Sequence, residues 1–309
     1  MTGRVRFAAV LTCAAVASLS LAGSPQQAPT FRTGVDAVTI DLSVFVGNSA
    51  IAGLTAADFV LTDNGVKQDL TSLAVEAMPI DLTLVLDASG SVRSQTERMR
   101  TDMRVIAHML RAVDGFRLLT FSTLVSAPLG LAISREPSAL DFAEPGGGTS
   151  FYHAVVSALI AAQRTGTADR RQLIVAMSDA RDTTSFLDAN DVRSAAATSD
   201  GVLHLFVIRQ VGGATTPSSG WLPYWGEADL KALRLAADQT GGQLYDNQTI
   251  TNVPAKVDEV LSAFRTSYVL RYVATGVAPA GWHEVVVRVN KPGKFVVRAK
   301  KGYFGVSPR

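Results

Sequence analysis

The sequence predicts an α/β protein, a doubly wound and mostly parallel sheet with a small flanking β-sandwich-like domain. Two observations predict it. From residue 80 to about 266, apolar strand-like runs alternate with helical ones, the order that builds a parallel sheet covered on both faces. On either side of that stretch the pattern turns to short segments of period two, as half-buried antiparallel strands require.

Residues 1–22 read as a secretory signal peptide. Arg4 and Arg6 precede an apolar run from Phe7 to Leu21, and Ser20-Leu21-Ala22 ends it with small residues at the offsets of a cleavage site. The run is shorter than the ~20 residues that span a bilayer, so no stable membrane insertion is expected after cleavage. The single cysteine, Cys13, would leave with this segment, which excludes disulfide and thiol chemistry from the mature chain. Cleavage also removes two of the 29 basic residues and leaves 27 against 27 acidic ones. An exported, neutral chain without a basic stripe argues against nucleic acid as a partner. The periplasm, the cell surface or the medium is its expected location.

Residues 23–30 read as a flexible leader and 31–78 as a β region. Val38-Thr39-Ile40-Asp41-Leu42-Ser43-Val44 alternates with period two, and Asn64-Gly65 marks a hairpin turn. Between 80 and 266, strands are expected at 81–87, 116–122, 171–178, 202–209 and 243–246. The helices between and after them are expected over 93–113, 151–163, 188–198, 229–239 and 253–266. Val155, Val156, Leu159 and Ile160 share one face of the helix 151–163, the face expected to pack on the sheet. From 267 to 309 the β pattern returns, at 268–272, 283–289 and 295–298. Each β region has only about 40–50 residues, the margin for folding alone. The two are therefore expected to pair into one domain into which residues 80–266 are inserted; separate small modules are the alternative.

The chemistry concentrates where apolar runs stop. The run Leu82–Leu86 ends on Asp87-Ala88-Ser89-Gly90-Ser91, one carboxylate and two hydroxyls at alternating positions. Hard divalent cations such as Mg²⁺ take oxygen ligands in an octahedral array. Two later segments have the same character, Gly146-Gly147-Gly148-Thr149-Ser150 ahead of a helix and Met177-Ser178-Asp179 at a strand end. Ligands of open α/β sheets bind beyond the carboxyl ends of the strands, so the three segments can converge there. Each also has a plainer reading. Asp87 and Ser89 suit a strand-to-helix cap, Thr149-Ser150 an N-cap, and Asp179 a turn before Asp182-Thr183-Thr184-Ser185.

Enzyme signatures are weak. A phosphoryl-transfer aspartate would have a second carboxylate two residues on, where Ser89 stands. Gly146-Gly147-Gly148-Thr149 lacks the lysine of a phosphate-gripping loop, and no serine lies in G-x-S-x-G. His108, His153, His204 and His283 fall in separate elements without metalloprotease spacing. His204 is expected in the core or on a sheet face, and His153 in packing or capping. No enzyme is expected.

In that order D-x-S-x-S, a threonine after a glycine-rich turn, and S-D after an apolar strand resemble the metal-ion-dependent adhesion site of von Willebrand factor A domains. Residues 80 to about 266 match such a domain in length and element order. Phe31–Asp36, Gly53–Phe59 and Lys301–Phe304 resemble the secreted von Willebrand factor A-related proteins found notably in acidobacteria. The resemblance implies that Ser89 and Ser91 touch the metal and that Thr149 binds it directly or through water. It implies that Asp87 and Asp179 hold coordinated waters and supply most of the negative charge. The ion implied is Mg²⁺, with Mn²⁺ or Ca²⁺ possible, and an Asp or Glu of a protein partner completes its octahedron. Val92 departs from the pattern, standing where the family often has Met. The function implied is an exported adhesion or assembly module. The alternatives are a structural envelope protein whose β domain makes the contacts and, behind it, a metal-dependent hydrolase.

Residues 211–228 are long for a connection that usually takes ~2–6 residues. They hold Trp221, Tyr224 and Trp225 and should emerge on the same edge as Asp87. Aromatic residues anchor interfaces, so these three are expected to form a selective rim for the partner. Folding back over the sheet is the alternative.

Overall fold

Every residue of the strand Ile80–Asp87 is buried, the mark of a strand with helices on both its faces. The computed structural model describes residues 37–75, 78–132, 145–165, 169–178, 182–207, 226–245 and 252–305. Asp36–Arg309 is one compact unit, and residues 1–36 lie outside the described residues. In chain order the first strands are β1 (Val38–Val46), β2 (Ser49–Ala50), β3 (Phe59–Asp63), β4 (Val66–Gln68) and β5 (Leu70–Val75). The central ones are β6 (Ile80–Asp87), β7 (Gly115–Phe121), β8 (Val125–Ala132), β9 (Arg171–Ser178), β10 (Val202–Val207) and β11 (Gln243–Tyr245). The last are β12 (Tyr268–Tyr272), β13 (Gly281–Val289), β14 (Val296–Ala299) and β15 (Gly302–Gly305). The α-helices are α1 (Thr96–His108), α2 (Phe151–Thr165), α3 (Ala189–Thr198), α4 (Glu227–Gln239) and α5 (Val253–Arg265).

The central sheet has the order β11-β10-β9-β6-β7-β8 and is parallel except for β8. This is the doubly wound α/β class. Alternate side chains of each strand serve opposite layers. Ile174 and Ala176 of β9 pack with α2, α3 and α4, while Leu173, Val175 and Met177 pack with α1 and α5. The chain leaves β6 toward β7 on one side and resumes with β9 on the other, so the order reverses between β6 and β9. That reversal is the crevice where ligands of such sheets sit.

Three details depart from the sequence reading. The antiparallel strand β8 was not expected; Pro128 and Gly130 interrupt its pattern, and as an edge strand it tolerates both. The helix expected from 93 begins as a 3-10 turn, Gly90–Gln95, and becomes α-helical only at Thr96. On α2 the buried face is Phe151, Ala154, Val155, Ala158, Leu159 and Ala162, whereas Val156 is half-buried and Ile160 is exposed. The buried positions recur at intervals of three and four from Phe151, and Ile160 falls outside that stripe.

The flanking strands form two facing sheets. One has the order β14-β1-β12-β5, with β2 on β1, and the other the order β15-β13-β3-β4. Ile40, Leu42, Val44, Leu270 and Tyr272 of the first meet Leu61, Val285 and Val287 of the second in one core. Asn64 (φ 45°) and Gly65 (φ 80°) both take the positive φ that a two-residue turn between β3 and β4 needs. The α/β stretch enters after β5 and returns at β12. These strands are hydrogen-bonded neighbours, with Val75 opposite Tyr268, so the two ends of the inserted stretch lie side by side. Arg171, at the start of β9, reaches across to the carboxylate of Asp41 on β1 at 2.5 Å and donates to the carbonyl of Phe264 at 2.6 Å. Lys300 of the sandwich pairs with Asp200 at 2.7 Å.

Candidate metal centre

Asp87 ends β6 at the topological reversal and is 2% exposed. Its Oδ1 accepts the backbone N–H of Ser89 at 2.8 Å, a local turn that stops the strand. Its Oδ2 accepts the hydroxyl of Ser178, the last residue of β9, at 2.6 Å. The carboxylate therefore bridges the two strands between which the order reverses. Ser89 is 1% exposed, Ser91 is exposed, and their hydroxyl oxygens stand 2.9 Å apart. The pair runs from the buried floor of the crevice to its open side.

Backbone hydrogen bonds draw the glycine-rich segment onto this turn. The N–H of Gly146 donates to the carbonyl of Ala88 at 2.9 Å, and that of Gly90 to the carbonyl of Gly147 at 3.2 Å. Gly147 has φ 75°, and a Cβ there would lie 2.5 Å from Thr123 Oγ1, so only glycine fits. Thr149 follows, 4% exposed, with its N–H donating to Thr183 Oγ1 at 2.9 Å. Its carbonyl accepts the N–H groups of Thr183 and Thr184 at 2.8 and 3.1 Å. Phe151, the next residue but one, packs edge-on against Phe121 at 5.7 Å and pins the start of α2 to the end of β7.

The structure thus gathers Asp87, Ser89, Ser91 and Thr149 on stitched loops at one sheet edge. Asp179 lies outside the described residues, as do Trp221, Tyr224 and Trp225. Asp182 is a contributor to which the sequence assigned no role. Its Oδ2 accepts the N–H of Tyr152 at 2.8 Å, capping α2, and its Oδ1 accepts those of Ser185 at 2.8 Å and Thr184 at 3.2 Å. It holds the frame around Thr149, and the signal for it was the run Asp182-Thr183-Thr184-Ser185 itself. His153 is part of the same frame: its Nε2 accepts the N–H of Phe186 at 3.3 Å while its ring lies 4.1 Å from that of Phe186.

The donors fit a small hard cation. All are oxygens, and among the described residues no group of three or more His, Cys, Asp or Glu offers a competing site. In an octahedron with metal–oxygen bonds of about 2.0–2.1 Å, as Mg²⁺ demands, neighbouring ligands are about 2.9 Å apart. Ser89 and Ser91 already stand at that separation. Beside Thr149, the hydroxyl of Ser150 is buried and has no hydrogen-bond partner among the described residues.

A doubly wound α/β sheet carrying a hydroxyl-rich cluster at its reversal point is the class that fold and site define. Neither a family model nor a curated protein sequence matches the chain. Solved structures of similar fold include a von Willebrand factor type A protein from Catenulispora acidiphila. It is 14% identical with a TM-score of 0.48, over 83% of this chain and 75% of that one. Another is the conserved hypothetical protein BatB from Bacteroides thetaiotaomicron, 14% identical with a TM-score of 0.46, over 60% of this chain and 98% of that one. A third is proximal thread matrix protein 1 from the mussel byssus, described with a zinc-occupied MIDAS motif. It is 13% identical with a TM-score of 0.45, and the chain spans 49% of its length and 65% of its own in the match.

Proposed function

We propose that the protein is an exported, metal-dependent protein-binding module that recognises an acidic group on its partner. Ser89 and Ser91 hold the cation directly, Thr149 directly or through water, and Asp87 and Asp179 through coordinated water. Mg²⁺ is the ion proposed, with Mn²⁺ and Ca²⁺ as the alternatives. A cation held mainly by neutral hydroxyls keeps its electrophilicity and takes a carboxylate oxygen from outside. The protein's own residues bind and orient; no group is proposed as a general base, and we read no enzyme. His153, the histidine nearest in sequence to Thr149, already accepts a backbone N–H.

The observation that carries this reading is the bridge at the reversal point. Both oxygens of the buried Asp87 are engaged, by its own turn and by Ser178, and the hydroxyls of Ser89 and Ser91 stand 2.9 Å apart on the same turn. Mn²⁺ binding followed by electron paramagnetic resonance tests it in the metal-stripped mature chain. Ser89→Ala with Ser91→Ala is expected to weaken binding tenfold or more, and unchanged binding would remove the two hydroxyls from the ligand set. An exported location rests on the signal peptide read at 1–22; among the described residues no helix is long and apolar enough to cross a membrane. One observation favours the structural alternative: Trp282 and Phe304 form an exposed edge-on pair, 5.1 Å apart, on the outer face of the sandwich.

A further inference from the structure

At the opposite end of the parallel sheet from Asp87, a cavity of about 770 Å³ opens between the sandwich and the α/β layer. It lies where β9, β10 and β11 begin, against α5 and β1. Its volume is within the range of small-molecule sites, ~300–1,000 Å³. Three cations line it, Arg171, Lys256 and Arg298, against two carboxylates, Asp41 and Glu259. Both carboxylates are taken, Asp41 by Arg171 and Glu259 by Lys256. Arg298 is left with no carboxylate at ion-pair distance among the described residues. Its guanidinium lies instead over the ring of Phe45, 4.7 Å from the centroid.

His204 lines the same cavity, nearly parallel to Tyr245 at 5.9 Å. Its Nδ1 is sealed and has no hydrogen-bond partner among the described residues. An orphaned N–H is the rarer of the two defects, so the favoured tautomer leaves Nδ1 bare and carries the proton on Nε2.

We propose that this cavity binds a small organic anion, its acidic group on Arg298 and its flat apolar body among Phe45, His204 and Tyr245. The site is separate from the metal centre, and either can fail without the other. The probe is 8-anilinonaphthalene-1-sulfonate, an aromatic sulfonate whose fluorescence rises in apolar surroundings, titrated into the mature chain. Saturable one-site binding is expected. Arg298→Gln should weaken it at least tenfold, and Ser262→Trp, at an exposed position on the cavity wall, should block it while keeping every charge. Arg288→Gln, on the outer face of β13 with Trp282, should leave it unchanged. The proposal is overturned by the absence of saturable binding in the folded wild type. It is equally overturned if both Arg298→Gln and Ser262→Trp bind like wild type, or if only Arg288→Gln weakens binding.

Discussion

His204 shows how a single buried side chain links structure to pH. Burial, seconded by the charge of Arg298, pushes its imidazole down to about 3, so it stays neutral in the folded protein. The unfolded chain takes up that proton near pH 6.5. Stability is therefore full above pH 6.5 and falls by about 1.4 kcal/mol per pH unit below it, until the folded form also protonates near pH 3. Urea unfolding at pH 8 and pH 5 checks this. Wild type should lose about 2 kcal/mol more over that interval than His204→Gln, and equal losses would mean that the imidazole is protonated when folded. The sequence located His204 in a strand, but its isolation is a tertiary fact: it depends on Tyr245 and Arg298, distant in the chain. Asp182 escaped notice for the same reason, since the helix it caps begins 31 residues before it.

At the scale of elements, periodicity revealed most of the central sheet, and it failed where edges and turns override it. β6, β9 and β10 are buried throughout and mostly apolar because both faces are covered, and such runs are conspicuous. β8 is an edge strand with Pro128 and Gly130, and its alternation is lost. The start of α1 was misplaced because the turn at Gly90–Gln95 belongs to the site: Arg93 donates to the carbonyl of Pro145 at 3.2 Å, tying that turn to the glycine-rich segment. Asp87 at a strand end and Thr149 ahead of a helix were legible for what they are locally; their convergence needed the topology. The cap on α2 makes a prediction at this scale. Asp182→Ala removes the acceptor of Tyr152, Thr184 and Ser185 and should cost about 1–2 kcal/mol. It should also weaken metal binding severalfold by loosening Thr149. Denaturant midpoints with parallel Mn²⁺ titrations would report both, and a loss of stability with unaltered metal affinity would detach the cap from the site.

At the scale of the whole molecule, two distant parts of the chain build one sandwich around an inserted α/β layer. β1 lies between β12 and β14, and β3 pairs with β13, so neither terminal part closes a core alone. A chain lacking residues 268–305 should leave Ile40, Leu42, Val44 and Leu61 uncovered and elute as aggregate on size exclusion. A monodisperse, folded product would contradict the shared core. The same architecture fixes the insertion at both its ends and through Arg171–Asp41. The edge that carries Asp87 is thereby left at the far side, facing away from the sandwich.

The central claim is that this far edge holds a divalent cation. Calorimetric titration of Mg²⁺ into the metal-stripped mature chain, beside Asp87→Ala, tests it most directly. Saturable binding that disappears in Asp87→Ala is the result the structure predicts. No binding by a folded wild-type chain, or the same binding in both proteins, would contradict it.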